Sequence, residues 1–289
     1  MVGFEKMFKT YGMIFAKILL SCLALWWVFR KVDYGHLFAL FWQVDWCWLM
    51  VSFLVFNMSR WIAAYRLNLF FDQIGLSLSQ VFNLKLYYLG MFYNFLLPGG
   101  ISGDGYKVYF LNKHYQVRAM DLVYATLVDR VTGLFSLCWL LVMVAGYATC
   151  AVWLPISTGW YLGVMLLLWP IFYGVYSLVA RRFLSLFFWS NVWAFFMQLS
   201  QVFVVICLLQ ALHEPLHMAD YVFAFLISSM VSVFPFSFGG IGARELTFMY
   251  LQPWLGYDVH TGIMVSALFF LLTLLSSFPG IFFLALCPD

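Results

Sequence analysis

The sequence contains very little charge. Only 9% of its 289 residues are Asp, Glu, Lys or Arg, whereas soluble domains carry about 25% charged residues. Hydrophobic residues make up 65% of the chain and aromatic residues 22%. No water-soluble fold can bury that much apolar surface, so the composition indicates an integral membrane protein, with many aromatic rings facing lipid or lying at the membrane interfaces. The net charge of +3 is too small to indicate nucleic acid as a partner.

The sequence also lacks the patterns that mark disulfide, metal and catalytic sites. Its six cysteines are scattered, mostly through apolar segments, without a Cys-x-x-Cys pair, which is typical of buried thiols. The segment HEPLH (213–217) matches a zinc-protease pattern, but Pro215 prevents the helix that would place both His side chains on one face. GISGDGYK lacks the Gly-Lys-Ser/Thr of a phosphate loop. We therefore expect no metal and no cofactor, and the sequence favours a transporter or lipid-binding membrane protein over an enzyme.

Six apolar runs reach the length of about 20 residues that a spanning helix needs. They lie at about 12–29, 46–65, 120–147, 157–180, 191–212 and 259–286. Two further apolar regions, 80–112 and 221–252, each divide at a Pro/Gly-rich break into halves too short to cross alone. This pattern predicts a polytopic all-α membrane protein, with six spanning helices and two re-entrant helical hairpins in a single domain over residues 1–289.

The distribution of Lys and Arg predicts the topology. It favours a cytoplasmic N terminus, with the first hairpin entering from the cytoplasm and the second from the outside. In the alternative, residues 80–97 span the membrane fully and the N-terminal part is inverted. Re-entrant backbone has to be buried in protein or line a wet cavity, because lipid offers it no hydrogen bonds. Opposed broken helices near the membrane midplane are typical of inverted-repeat transporters.

The first break lies in NFLLPGGISGDGYKVYF. Gly99, Gly100 and Gly103 permit a turn and close backbone approach. Ser102 or Asp104 can cap the helix that follows, and Lys107 adds a positive charge one turn later. The free N–H groups of that helix and Lys107 would attract an anion such as a lipid phosphate. The alternative is a loop tip between two spanning helices, with Lys107 near the headgroups.

The second break lies in SVFPFSFGGIGARELTF. Gly239, Gly240 and Gly242 are predicted to form its turn. Arg244 within an apolar region has to face a cavity or a partner, and its guanidinium suits bidentate contact with phosphate. Glu245 complements the start of the next half-helix. The alternative is an Arg–Glu pair at an ordinary interface.

Asp129 and Arg130 lie together inside a long apolar helix, in ATLVDRVTGLF. Adjacent helical residues point about 100° apart, so each is expected to have a partner elsewhere. The candidate partners are Asp104, Lys107, Arg244 and Glu245. We predict that Asp104 or Lys107 lies near Arg130 or Arg244. The alternative is a structural clamp that holds the bundle together.

Three further cations lie closer to the ends of apolar segments. Arg66 is interpreted as an interfacial anchor that extends toward the headgroups. Arg60 lies deeper and could reach a headgroup, although anchoring is favoured for it too. Lys85, early in the first broken region, has the same two interpretations.

The segments LLPGGISGDGYKVYFL, ATLVDRVTGL and PFSFGGIGARE, in this order, resemble the three signature blocks of the lysylphosphatidylglycerol synthase transmembrane-region family, also called the flippase-like domain family. The family's first block usually has Arg where this chain has Lys107, and its third block usually has a second Pro. The resemblance implies a bundle with re-entrant helices and, in the best understood members, lipid translocation. It covers the membrane half only, without the soluble aminoacyl transferase domain, so we do not expect aminoacyl transfer.

These observations lead to three hypotheses. In the first, the protein is a lipid translocase of a bacterial inner membrane that binds an anionic phospholipid or a polyprenyl phosphate. Lys107, Arg130 and Arg244 would neutralise the phosphate, while Asp104, Asp129 and Glu245 would hold these cations and read an amine. In the second, it is an enzyme, or a membrane partner or subunit of a lipid-linked glycosyl or aminoacyl transferase, and the same charged cluster positions a polyprenyl phosphate for the transfer. In the third, it is a purely structural membrane partner.

Overall fold

The computed structural model describes residues 26, 34–96, 102–149, 158–233, 240 and 242–283. Their regular secondary structure is helical, with no strand among them. The helices are α1 (Tyr34–Trp42), α2 (Trp46–Gln73), α3 (Gln80–Leu96), α4 (Ser102–Tyr115), α5 (Ala119–Ala145), α6 (Thr158–Val179), α7 (Phe187–Ala211, preceded by a 3-10 turn at Arg181–Leu186), α8 (Met218–Val233), α9 (Ala243–Leu255), α10 (Val259–Ser277) and α11 (Pro279–Phe282).

Five helical segments are long and apolar enough to cross a membrane, as judged by length and composition. They are Trp46–Gln73, Ala119–Ala145, Tyr161–Val179, Arg181–Ala211 and Val259–Phe282. They correspond to five of the six predicted spans, and the sixth, at 12–29, lies outside the described residues except for Trp26. Large apolar side chains cover the outside of the bundle, as with Leu54 and Leu166. The prediction of a polytopic all-α membrane protein is therefore confirmed.

Several helices begin at residues that form hydrogen bonds with free backbone N–H groups, and end near glycines. At the start of α2, the Asp45 carboxylate accepts a hydrogen bond of 2.8 Å from the Cys47 N–H, as expected of a helix cap. At the start of α10, Asp258 accepts one of 2.8 Å from the Thr261 N–H. Gly75, with φ of 88°, follows α2, and Gly256, with φ of 75°, follows α9. Both glycines adopt the left-handed conformation that commonly ends helices.

The first broken region forms an antiparallel pair of helices, α3 and α4. At their open end, the rings of Phe82 and Tyr115 lie 6.2 Å apart. Toward the break, the Asn94 side chain accepts a hydrogen bond of 2.8 Å from the Gly103 N–H. Gly103 lies in the first turn of α4 and is not among the glycines with positive φ. The predicted close backbone approach at Gly103 is confirmed, since a Cβ there would overlap the Gly90 carbonyl, although the residue belongs to the helix and not to the turn itself.

The second broken region, α8 and α9, is also an antiparallel pair. The rings of Tyr221 and Tyr257 lie 4.7 Å apart at its open end. At the break, Gly240 and Gly242 have φ of 88° and 82°, a conformation that glycine adopts without strain. The predicted turn role of these two glycines is confirmed. The remaining predicted turn glycines, Gly99, Gly100 and Gly239, lie outside the described residues.

The two hairpins enter the bundle from opposite ends. The Asp45 N–H donates a hydrogen bond of 2.9 Å to the Ala211 carbonyl, so the start of α2 lies beside the end of α7, where the second hairpin begins. The 28 residues of α2 then extend for about 42 Å at 1.5 Å per residue. The far end of α2 leads through a short connection to the first hairpin. Opposed hairpins of this kind bring described residues that flank both breaks, Asn94 and Gly240, to one cavity inside the bundle.

We predict that Gly103→Ala destabilises the first hairpin. A Cβ at residue 103 would overlap the Gly90 carbonyl, and such overpacking typically costs about 1–3 kcal/mol. Gly105→Ala is the matched control, since a Cβ there meets nothing within 4 Å. Thermal unfolding in detergent should show a lower midpoint for Gly103→Ala only. Equal midpoints for the two variants would show that α3 and α4 do not pack this closely.

Candidate functional site

The tips of both hairpins line one polar cavity in the middle of the bundle. The cavity has two adjoining lobes of about 380 and 290 Å³. Both lobes are bounded by Arg60 of α2, Arg130 of α5, Gln198 of α7, Ser232 of α8 and Arg244 of α9. Arg60, Arg130 and Gln198 lie near the middle of helices of 28, 27 and 25 residues. The cavity therefore lies about halfway along the spanning helices.

Asp104 connects the first hairpin to α5. Its Oδ1 atom lies 3.0 Å from the Lys107 ammonium and its Oδ2 atom accepts a hydrogen bond of 2.6 Å from Arg130 Nε. The Lys107 ammonium also lies 4.3 Å from the centre of the Tyr87 ring. The expectation that Asp104 lies near Arg130 is confirmed. One carboxylate thus holds two of the three predicted phosphate-binding cations.

A second buried ion pair connects α2 to α5. The Arg66 guanidinium donates two hydrogen bonds to the Asp129 carboxylate, of 2.7 and 3.0 Å, and a third of 3.2 Å to the Asp129 carbonyl. Arg66 was interpreted as an interfacial anchor, and this interpretation is wrong, since the residue is only 4% exposed. The helix continues to Gln73, two turns beyond Arg66. The partners that the sequence predicted for Asp129 also did not include Arg66.

Aromatic rings hold the remaining two cations of the cavity. The Arg244 guanidinium carbon lies 4.6 Å from the centre of the Phe269 ring, and Arg244 Nε donates a hydrogen bond of 3.3 Å to Ser232. The Arg60 guanidinium carbon lies 4.5 Å from the centre of the Phe56 ring. Arg60 was also favoured as an anchor, whereas it lines both lobes. Contacts between a guanidinium and a ring face stabilise the cation without using its hydrogen-bond donors.

Both of these arginines have buried donors that are not used. Arg244 Nη1 and Arg60 Nε form no hydrogen bond within the described part of the chain. Neither side chain forms an ion pair there. Buried polar groups in native proteins nearly always have a partner, and a charged donor without one is costly. An anion entering the cavity would supply the oxygen atoms that these groups need.

Glu245 forms its hydrogen bonds with groups other than Arg244. Its Oε2 atom accepts a hydrogen bond of 2.7 Å from the Gly242 N–H, and its Oε1 atom accepts one of 2.9 Å from the Ser266 hydroxyl. No ion pair forms between Glu245 and Arg244 among the described residues. The prediction that Glu245 complements the start of a half-helix is confirmed, while its role as a charge partner of the cations stays a prediction. The backbone N–H competes successfully because it is itself a free helix-end donor.

The charges that line the two lobes do not cancel. The basic residues are Arg60, Arg66, Lys107, Arg130 and Arg244, and the acidic residues are Asp104, Asp129 and Glu245. Five positive charges against three negative charges leave a formal charge of +2. Because field strength is greater in a poorly hydrated interior than in water, such a cavity favours an anion.

The other sequence features lie away from this cavity. The Lys85 ammonium lies 5.7 Å from the centre of the Phe283 ring, in a smaller pocket beside α3. HEPLH forms a turn between α7 and α8, in which His213 and His217 have φ of 55° and 56°. The two His therefore do not share a helix face. Within the described residues, no group of three potential metal ligands is present.

Two glutamines of the cavity were missed in the sequence. Gln198 and Gln201 are both buried on α7, and both line the smaller lobe. The Gln198 amide donates a hydrogen bond of 3.1 Å to the Gly133 carbonyl of α5. Their spacing of three residues within an apolar helix could have identified them, because it places both side chains on one helix face.

Comparison with known proteins identifies one family. A family model described as the lysylphosphatidylglycerol synthase TM region matches residues 14–199. The match includes the first hairpin and α5 and ends before the second hairpin. The third signature block, PFSFGGIGARE, therefore lies outside the matched residues. No curated protein and no solved structure matches the chain.

We predict that the ion pair between Arg66 and Asp129 is required for stability. Removing one partner leaves a buried charge uncompensated, at a typical cost of about 3–5 kcal/mol. Arg66→Met and Asp129→Leu should therefore each lower the unfolding midpoint in detergent, and the double variant should be less destabilised than the sum of the two. Arg182→Ala is the control, because its pair with Asp121 is half exposed and such pairs contribute about 0–1 kcal/mol. Additive losses would contradict direct pairing.

Proposed function

The chain belongs to the lysylphosphatidylglycerol synthase transmembrane-region family, and from this and the cavity we propose that it translocates a lipid with a phosphate-bearing headgroup. The headgroup binds between the two broken helices while the acyl or prenyl tails remain in the surrounding lipid. We also propose a bacterial inner membrane as its location. The alternative is a membrane partner of a transferase that uses the same bound lipid.

The observation that carries this proposal is the pair of arginines with unused donors. Arg60 and Arg244 lie on the shared wall of the two lobes, and aromatic rings rather than carboxylates hold their guanidinium groups. Guanidinium groups match phosphate oxygens in geometry and charge. An intramembrane cation that faces a cavity is a candidate functional residue, because burying it in the membrane is costly. A lipid phosphate satisfies these groups and offsets the excess positive charge.

The shape of the cavity supports movement rather than binding alone. The larger lobe extends along α2 and α5 toward the open end of the first hairpin, where it reaches Arg66 and Thr126. The smaller lobe is lined by Gln201 of α7 and by Ser229 of α8, which lies about one turn from the break. The hairpins open at opposite ends of the bundle. The two lobes share Arg60, Arg130 and Arg244, so a headgroup bound in one lobe could pass to the other along these cations.

The mechanism that we propose is alternating access around the shared wall. Rocking of one hairpin against the other would open one lobe and narrow the opposite lobe. Asp104 keeps Lys107 and Arg130 in place during this movement, since it contacts both. The headgroup exchanges phosphate contacts between neighbouring cations, so no step leaves its charge unpaired. Movement down a gradient or coupled to an ion would supply the driving force.

We predict that Arg244→Ala strongly slows translocation without unfolding the protein. Hydrogen bonds to charged groups contribute about 1.5–3 kcal/mol, so the rate should fall at least tenfold. The protein is reconstituted into liposomes with acyl-labelled fluorescent phosphatidylglycerol, and access of dithionite to the label is followed over time. Arg182→Ala, at the half-exposed pair with Asp121, should retain the wild-type rate.

Two outcomes would contradict the proposal. Equal rates for wild type and a well-folded Arg244→Ala protein would show that the lipid moves elsewhere. Absence of translocation by the folded wild-type protein, tested also with a polyprenyl phosphate, would favour the transferase-partner alternative. Recovery of a soluble transferase with the purified protein would then test that alternative directly.

A further inference from the structure

The smaller pocket beside α3 is separate from the central cavity. It has a volume of about 190 Å³ and shares no described lining residue with either lobe. Phe82, Lys85 and Leu89 of α3 line this pocket, whereas Tyr87 and Met91 of the same helix line the larger lobe. At 3.6 residues per turn, these two sets lie on opposite faces of α3. A molecule in the pocket is therefore separated from the central cavity by α3.

The walls of the pocket are almost entirely apolar. Leu86 and Leu89 of α3 and Phe110 of α4 are buried, and Phe283, directly after α11, lines the pocket as well. Val81 also lines it and is 64% exposed, so the pocket opens on the outside of the bundle. Pockets that enclose a whole small-molecule ligand measure about 300–1,000 Å³. This one is smaller, so it takes a segment of hydrocarbon chain while the rest of the molecule remains in the bilayer.

Among the described residues that line the pocket, Lys85 alone is charged. Its ammonium lies 5.7 Å from the centre of the Phe283 ring and forms no ion pair within the described part of the chain. Lys85 lies five residues beyond Gln80, the first residue of α3, which is about 7.5 Å along the helix axis. Over this distance a Lys side chain can extend toward the headgroups. Ser79, the other polar lining residue, accepts a hydrogen bond of 3.3 Å from the Phe82 N–H.

From this arrangement we infer that the pocket binds one acyl chain of an anionic phospholipid whose phosphate pairs with Lys85, as a lipid that stabilises the first hairpin rather than as the transported molecule. A cation above an apolar pocket matches a negatively charged headgroup above its chain. The quaternary ammonium of a zwitterionic lipid would instead add a positive charge beside Lys85. Both arms of the first hairpin and the segment after α11 form the walls, so a bound chain holds these three parts together. The inference does not depend on the proposed function.

The test is the effect of lipid on thermal unfolding. The purified full-length chain in neutral detergent is heated with phosphatidylglycerol, with phosphatidylcholine of the same acyl chains, or with glycerol 3-phosphate, which carries the anion without a chain. A ligand in large excess over its dissociation constant stabilises the state that binds it. We expect phosphatidylglycerol to raise the unfolding midpoint by about 4 °C or more above that in phosphatidylcholine. Glycerol 3-phosphate should leave the midpoint unchanged.

Substitutions at Lys85 identify the site of this effect. Lys85→Gln removes the charge and keeps a good helix former, so the additional shift with phosphatidylglycerol should fall by at least half. Lys85→Arg should retain the shift. Lys113→Gln is the matched control, because it makes the same change at an exposed residue of α4 that does not line the pocket. Arg244→Ala separates the pocket from the central cavity and should leave the Lys85-dependent part of the shift in place.

Several results would overturn the inference. Equal shifts for wild type and Lys85→Gln, or loss of the shift in Arg244→Ala alone, would show that the lipid acts elsewhere. An equal loss in Lys113→Gln would indicate a general surface effect, and loss in Lys85→Arg would show that packing rather than charge matters. Equal shifts with phosphatidylcholine or with glycerol 3-phosphate would exclude the charge or the chain as a determinant. None of these results bears on translocation, which the liposome assay measures.

Discussion

The contact of Asp104 with both Lys107 and Arg130 is the interaction on which the rest of the site depends. A broken helix inside a membrane protein has to be held by protein, because lipid cannot satisfy its backbone. Asp104 holds the tip of the first hairpin against the middle of α5. It also allows two cations to lie inside the bundle at once. Without this carboxylate, repulsion between Lys107, Arg130 and the nearby arginines would favour opening of the bundle.

The cavity combines two different ways of holding a cation. Carboxylates hold Lys107, Arg130 and Arg66, which makes these residues part of the framework. Phenylalanine rings hold Arg60 and Arg244, which leaves donors of both guanidinium groups available. This division separates stability from binding within a small volume. It also accounts for the position of Arg60 and Arg244 on the wall that both lobes share, where a headgroup would pass from one lobe to the other.

The sequence predicted the broken helices well, because Gly and Pro mark a break wherever it lies in the fold. The proximity of Asp104 and Arg130 followed from the rule that an intramembrane charge needs a partner. Arg60 and Arg66 were misinterpreted because the predicted second span stopped at 65, whereas α2 continues to Gln73. How deeply a cation lies in the membrane depends on where its helix ends. Hydrophobicity decreases gradually near a helix end, so the sequence does not locate that end accurately. The Arg66–Asp129 pairing depends on the packing of α2 against α5, which no local pattern specifies.

An experimental structure of the protein in a nanodisc of anionic phospholipid would test the central claim most directly. The account predicts density for a lipid phosphate within hydrogen-bonding distance of Arg60 and Arg244, between the tips of the two hairpins, with the acyl chains leaving the bundle laterally. A cavity without lipid, in which Arg244 instead pairs with a carboxylate of the protein, would contradict it.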